Sequence, residues 1–268
     1  MTYLIVFSPT GTSRKIGEFI VRGIGGEVVT IDLTYAPAPA LNISKEDLAV
    51  FVAPVYGGCL PALAKQRMAG ITSSGAKAVG VCVYGNRAFE KALVELDSIF
   101  EQAGFIPIAC GAFIGEHSYC TKANPIAPGR PDNNDLLQAE LFGKAIKEKL
   151  DAGIIDMCNM KAVSDLPMTM SAKLRFIAGV LKIKFVKSKR RNVPETDLGR
   201  CIHCGLCVRI CPVGAISKEN EYDTDADKCI RCCACVKMCR QGAKTFNTPF
   251  APLLSRNFYK KKPNITVV

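Results

Sequence analysis

The stretches "CIHCGLCVRICP" (201–212) and "CIRCCACVKMCR" (229–240) share one layout: Cys201, Cys204, Cys207 and Cys211 recur 28 residues later as Cys229, Cys232, Cys235 and Cys239. Thiols this dense either pair as disulfides or hold metal. Nine of the fourteen cysteines lie between 201 and 239 while the other five are scattered, which argues against a disulfide framework spread through a secreted fold. Within each half, three thiols separated by two residues wrap one face of an iron–sulfur cubane, and the fourth, three residues further on, points toward the other half's cluster. That spacing assigns Cys201, Cys204, Cys207 and Cys239 to one 4Fe-4S cluster and Cys229, Cys232, Cys235 and Cys211 to a second. Zinc is the rival, but a zinc ribbon needs only two C-x-x-C pairs and would leave half of these thiols unused.

Residues 198–245 resemble the bacterial two-cluster ferredoxins, with Pro212 and "VGAI" as the usual sequel to a fourth cysteine. Two residues depart from that pattern. Arg240 stands where the second half would carry proline, which keeps a backbone N–H and adds a cation that eases reduction of the first cluster. Cys233 lies between ligands and reads as a small buried residue, with a substitute ligand or redox sensor as the alternatives. His203 reads as a loop side chain rather than an iron ligand.

The 200 residues before the repeat have a different rhythm. Apolar runs at Tyr3–Phe7, Val28–Asp32, Ala49–Ala53, Ala78–Val83 and Ile106–Phe113 alternate with helical patterns at Arg14–Arg22, Ala62–Met68, Arg87–Ala103 and Asp135–Asp151. The expectation is an α/β fold: a doubly wound, five-stranded parallel sheet whose ligands bind beyond the carboxyl ends of its strands, followed by a small α+β two-cluster domain. The chain then divides as 1–151, a basic connector 152–197, the cluster domain 198–245 and a basic tail 246–268.

Three strand-end loops carry candidate ligand-binding residues. In "FSPTGTSRKI", Ser8, Thr10, Thr12 and Ser13 surround Gly11 just before a helix, a cradle of hydroxyls and amides suited to a phosphate. "APVYGGCLP" supplies Pro54, Tyr56, Gly57 and Gly58, and "VYGNRAFE" supplies Tyr84, Gly85, Asn86 and Arg87. A flavin ring needs an aromatic neighbour, close backbone approach, and a donor or cation where negative charge accumulates. Tyr84 reads equally well as a final strand residue buried for packing. His117, after the fifth strand, is a candidate proton donor or a structural side chain.

The first loop resembles the T-x-T-G-x-T loop of flavodoxins, with Ser8 in place of the first threonine. With "FIGEHSY" and both cysteine motifs added, the whole chain resembles the anaerobe-type "ferrodoxin" iron–sulfur flavoproteins, in which a flavodoxin-like domain is fused to a two-cluster ferredoxin. The resemblance implies FMN and low-potential electron transfer. It leaves two functions open: an electron carrier serving a redox partner protein, or an FMN-dependent oxidoreductase that reduces a small acceptor such as a quinone, a nitro compound or a flavin.

A formal charge of +11 raises the question of nucleic acid. Two clusters on eight thiolates and a flavin phosphate would bring the loaded protein to about +5, and no recognition motif is present, so nucleic acid is not expected. The basic excess concentrates at 161–192, where nine Lys or Arg face only Asp165. There Leu174, Ile177 and Leu181 fit one helical face, while "KIKFVK" (182–187) alternates like a strand. This connector reads as a segment packed on the first domain, or as a docking surface for an acidic redox partner or a membrane face. No apolar run is long enough to span a bilayer, and "MTYLIVFSPTG" lacks a basic segment before its apolar run, so a cytoplasmic location is expected.

Overall fold

The computed structural model describes residues 1–167, 169–185 and 192–268. In chain order the elements are β1 (Thr2–Val6), α1 (Thr12–Ile24), β2 (Val28–Asp32), β3 (Leu41–Ile43), β4 (Leu48–Pro54), α2 (Ala62–Met68), β5 (Ile71–Ser73), β6 (Lys77–Tyr84), α3 (Ala92–Ala103), β7 (Ile106–Ile114) and α4 (Asn133–Asp151). After a short 3₁₀ turn at Met160–Ala162 come α5 (Met170–Phe185), β8 (Glu195–Thr196), α6 (Leu206–Arg209), α7 (Ala234–Lys237), β9 (Lys244–Thr245), α8 (Phe250–Asn257) and β10 (Ile265–Val267). No helix among the described residues is long and apolar enough to cross a membrane.

Two compact units interleave along the chain. One contains Met1–Glu116, Gly129–Asp165 and Lys262–Val268; the other contains His117–Pro128 and Leu166–Lys261. Part of the expected connector therefore groups with the first unit, where Met160 is fully buried, and the expected tail supplies α8 to the second unit and β10 to the first.

In the α/β unit the main sheet runs β10-β7-β6-β4-β1-β2. The β1–β2, β1–β4, β4–β6 and β6–β7 pairs are all parallel. Those five strands follow the 2-1-3-4-5 order of flavodoxin-type doubly wound sheets. The expected count of five is corrected to six, because β10 adds antiparallel to β7, pairing Thr266 with Gly111. Ile, Thr and Val in β10 suit a strand, and β7 would otherwise leave its edge unpaired. The interior strands are apolar on both faces, as parallel strands covered by helices should be. Leu4, Val50, Val81 and Phe113 pack there with Ile16 and Ile20 of α1 and Phe142 and Ile146 of α4.

Helix α4 begins two residues before the expected Asp135. Asp132 accepts the N–H groups of Asn134 and Asp135 at 3.1 Å, and the Asp135 side chain accepts the Asp132 N–H at 2.8 Å. Such a capping box contributes about 1 kcal/mol. Helix α3 starts at Ala92 rather than Arg87, because the Asp165 carboxylate takes the N–H groups of Phe89 and Glu90 at 2.9 and 2.8 Å and Glu90 adopts a φ of 40°.

In the other unit, α5 runs through Phe185, so residues 182–185 are helical rather than strand-like; Val186 and Lys187 lie outside the described residues. Leu174, Ile177 and Leu181 do share one helical face, but it is not the face that packs. Phe176 meets Phe258 with ring centroids 5.1 Å apart, and Gly179 closely approaches Leu253, while Leu174, Ile177 and Leu181 face solvent.

Candidate metal centres and strand-end loops

The two cysteine halves repeat in backbone as well as in sequence. In the first, His203 and Gly205 flank Cys204 with φ of 54° and 65°; in the second, Arg231 and Cys233 flank Cys232 with φ of 57° and 59°. A left-handed residue on each side of the middle cysteine curls the loop around it. Each loop then enters a one-turn helix, α6 after Gly205 and α7 after Cys233. Glycine adopts this conformation without strain, whereas a residue with a Cβ does so at a cost of about 1–2 kcal/mol.

The thiols line two cavities. Cys201, Cys204, Cys207 and Cys239 line one of about 420 Å³, together with Arg209, Glu221, Arg240 and Lys244. Cys211, Cys229, Cys232, Cys233 and Cys235 line a tighter one of about 20 Å³, walled by Pro212, Ile216 and Ile230. Cys235 lines the first as well. Among the described residues no three His, Cys, Asp or Glu converge on a point where one metal ion would sit.

The local electrostatics differ among these thiols. Burial lifts Cys232 to about 11 and Cys235 to about 12, and also raises Cys207 and Cys229. Without metal these groups stay protonated near neutral pH, so cluster assembly must displace protons. Cys239 behaves oppositely: burial opposes ionisation, but the N–H groups of Lys244, Ala243, Gln241 and Gly242 gather on its sulfur and lower its pKa. At the matching position in the first half, Cys211 Sγ accepts the Ala215 N–H at 3.2 Å. N–H groups aimed at sulfur stabilise the thiolate and tune a bound cluster.

His203 turns to other partners. Its Nε2 lies 2.6 Å from Tyr222 Oη and its Nδ1 3.4 Å from Glu221 Oε2. Cys233 is buried, and its thiol donates weakly to the Arg231 carbonyl at 3.6 Å.

In the α/β unit, the three expected loops all leave the carboxyl ends of parallel strands. The first closes on itself: Gly11 N–H donates to Ser8 O at 3.1 Å, Arg14 N–H to Ser8 Oγ at 3.0 Å, and Ser8 N–H to Thr34 Oγ1 at 2.8 Å. Thr10 and Thr12 hold their hydroxyls 3.3 Å apart, and Gly11 has a φ of 81°. The turn delivers these hydroxyls to the N-terminus of the thirteen-residue α1, where the first N–H groups lack intrahelical acceptors. Ser8 and Ser13 are buried and complete the turn from within.

The second loop, beyond Pro54, is a tight reversal. Tyr56 and Cys59 exchange backbone hydrogen bonds of 2.8 and 3.3 Å across Gly57 and Gly58, whose φ values are 64° and 90°. Glu90 packs so closely on Gly58 that a Cβ there would fall 1.9 Å from Glu90 Oε2.

The third loop is engaged by a segment that the sequence reading missed. Asn86 is fully buried with a φ of 62°, and its Oδ1 accepts the Lys262 N–H at 3.0 Å. Tyr84 is buried, stands 5.5 Å from the Phe89 ring and donates its hydroxyl to the Pro263 carbonyl at 3.4 Å. Arg87 pairs with Glu90, and its carbonyl accepts from Lys262 Nζ. Asn264 accepts the Ile114 N–H at 2.9 Å and donates to Asp135 and Gln138. Residues 262–264 thus strap the ends of β6 and β7. The only sequence signal was the β-branched run "ITVV" after Pro263 and Asn264.

His117 groups with the cluster unit. Its Nδ1 accepts the Tyr119 N–H at 3.0 Å, and the two rings lie 4.8 Å apart, with Tyr119 in turn 5.1 Å from Phe246.

Comparison with known families matches residues 194–217 to the 4Fe-4S binding domain. The match spans Cys201, Cys204, Cys207 and Cys211 and indicates at least one 4Fe-4S cluster. The chain is therefore a mostly parallel α/β protein that also carries an iron–sulfur motif. No curated protein matches it. Among solved structures, it is similar to a flavodoxin from the domain Archaea at 14% identity, covering 56% of this chain and 99% of that one with a TM-score of 0.35. The flavodoxin of Streptococcus pneumoniae TIGR4 gives 17%, 57%, 98% and 0.38 on the same measures. An azoreductase from Bacillus anthracis Sterne gives 11%, 55%, 98% and 0.38.

Proposed function

We propose that this chain is an electron-transfer iron–sulfur flavoprotein holding two 4Fe-4S clusters and FMN. One ligand set is Cys201, Cys204, Cys207 and Cys239; the other is Cys229, Cys232, Cys235 and Cys211. What supports this reading most is that the fourth cysteine of each half lines the cavity of the other: Cys239 lies with Cys201, Cys204 and Cys207, and Cys211 with Cys229, Cys232 and Cys235, the last of which lines both. When bound, the clusters supply one-electron transfers and FMN supplies an acceptor of one or two electrons.

The Ser8–Ser13 loop at the α1 N-terminus is proposed to hold the flavin phosphate with hydroxyl and amide donors. Tyr56, Gly57 and Gly58 offer an aromatic face and a close backbone to the ring. Tyr84, Gly85, Asn86 and Arg87 shape the third side, with Tyr84 and Asn86 acting by holding residues 262–264 in place. His117 orders its own turn through Tyr119. The clusters and flavin together would connect a redox partner protein to this chain in a cytoplasmic setting.

The test is anaerobic purification followed by iron, sulfide and flavin analysis. About eight irons per chain and one FMN are expected, and Cys207→Ala should remove about half of the iron. Thr10→Ala combined with Thr12→Ala should weaken FMN retention without changing iron. Four irons or fewer in the intact protein would defeat the two-cluster assignment. Saturable, selective turnover of a quinone, nitro compound or free flavin would turn the reading toward an oxidoreductase.

A further inference from the structure

Helix α5 presents two apolar faces, and among the described residues only one of them is covered. Phe176 and Gly179 pack on α8, as described above. On the opposite side Met170, Leu174, Ile177, Leu181 and Phe185 are 70, 60, 43, 48 and 85% exposed. At about 100° per residue, these five fall within an arc of about 80° directly opposite the packed seam, and the stripe runs about 24 Å. Single exposed apolar residues are ordinary; five bulky ones aligned on one helix mark a surface with an occupant.

Charge selects that occupant. Lys173 flanks the stripe on one side and Arg175 and Lys182 on the other, all exposed. Arg175 donates to Asn257 Oδ1 at 2.8 Å, a neutral partner that leaves its charge intact. A second copy laid stripe to stripe would oppose these cations to one another. An acidic protein would have to match an unbroken apolar stripe of this length, whereas electron-transfer docking surfaces are small. A bilayer surface rich in anionic lipid satisfies both features at once, because acyl chains take up the stripe and phosphates meet the flanking cations.

We propose that α5 is a membrane-surface docking helix, lying flat on anionic lipid with Met170, Leu174, Ile177, Leu181 and Phe185 in the acyl boundary. The surface is independent of the cofactor reading, since none of its residues lines either cluster cavity. It would deliver a redox protein to acceptors or partners held at a membrane without a spanning helix.

The test is flotation of the full-length, cofactor-loaded protein with vesicles of phosphatidylcholine, alone or mixed with phosphatidylglycerol. Binding to the mixed vesicles only, weakened by raised salt, is expected. Leu174→Glu with Leu181→Glu should cut the bound fraction roughly tenfold or more while leaving iron content and circular dichroism unchanged. A polarity-sensitive fluorophore on Phe185→Cys should shift to the blue with phosphatidylglycerol vesicles and stay unchanged with phosphatidylcholine alone. No binding to the mixed vesicles, or equal binding to both, overturns the proposal. So does a dimer that forms without lipid and dissociates in the double variant, which would make a second copy the occupant.

Discussion

The α/β unit buries Leu4, Val50, Val81, Phe113 and Phe142 in one continuous cluster built from strands and from both flanking helices. In the cluster unit, Ile126, Leu254 and Phe258 form a small buried cluster with Tyr119, Cys120, Phe176 and Phe250 at its margin, and Ala215, Ile216, Ala243 and Phe246 are buried elsewhere in the unit. Residues 195–245 of that unit are wrapped around the two thiol-lined cavities, with strands of only two residues and one-turn helices of four. A small domain without enough apolar surface needs a staple. The first unit is held by its own core, and on the proposed reading residues 195–245 of the second would depend on what their thiols bind.

The largest expected effect follows directly. Removing iron with a chelator under anaerobic, reducing conditions should unfold residues 195–245 and leave the sheet intact. Hydrogen exchange read by mass spectrometry should show full loss of protection around α6 and α7 and retained protection in β1, β4 and β6. Equal loss in both units, or none in either, breaks the comparison.

The reverse experiment targets the first unit alone. Asp135 and Arg130 form a buried ion pair, with side chains 0% and 8% exposed. Burial would raise the Asp135 carboxyl, but Arg130, the Asp132 N–H and Asn264 together carry it below the usual carboxylate range. Asp135→Asn leaves Arg130 only the half-exposed Asp132 carboxylate at 3.5 Å and should cost about 2–3 kcal/mol in chemical denaturation, with iron content unchanged. The sign of the pH effect follows from the depressed pKa: the carboxylate's contribution is complete at neutral pH and is lost as pH falls below the carboxylate range. The wild type should lose stability through that window, and the variant should lose less.

Within the cluster unit the two halves are themselves unequal. Gly205 and Cys233 occupy one backbone position with φ of 65° and 59°, so the second half carries a strain that the first avoids. Cys233→Gly should be more stable than Cys233→Ala by about 1 kcal/mol, because both remove the thiol and only alanine keeps the Cβ. Gly205→Ala should cost a similar amount. If the alanine and glycine variants at 233 were equally stable, the strain would be excluded.

Such differences set the limit of what the chain discloses. Laying the halves side by side puts Cys233 opposite Gly205 and Arg231 opposite His203, so the shared left-handed turns were within reach of the repeat alone. The parallel strands were legible because each is a continuous apolar run between turn residues. The strap at 262–264 was not, since Asn86 and Lys262 are 176 residues apart and neither is unusual locally. Helix α5 failed for another reason. Periodicity finds apolar faces but does not tell which is covered when a helix has two, and here Phe176 and Gly179 pack while Leu174, Ile177 and Leu181 face outward.

The smallest effect tests how the halves differ toward their ligands. Arg240 lines the larger cavity beside Lys244 and Arg209, whereas the matching residue of the first half, Pro212, lines the tighter, apolar one. A cation beside a cluster favours the reduced, more negative state, so Arg240→Pro should lower the potential of the cluster proposed on Cys201, Cys204, Cys207 and Cys239 and leave the other proposed cluster unchanged. Proline suits the test because the N–H groups that support Cys239 come from residues 241–244, so none of them is removed. Arg240→Gln separates charge from backbone. An exposed charge several ångströms away is worth less than about 1 kcal/mol, and ~1.4 kcal/mol corresponds to 59 mV for one electron. A fall on the order of 20 mV in both variants is therefore expected from redox titration followed by electron paramagnetic resonance. Equal shifts of both clusters would mean that the cavities share one electrostatic environment, and a fall with proline but not glutamine would trace the effect to the backbone instead of the cation.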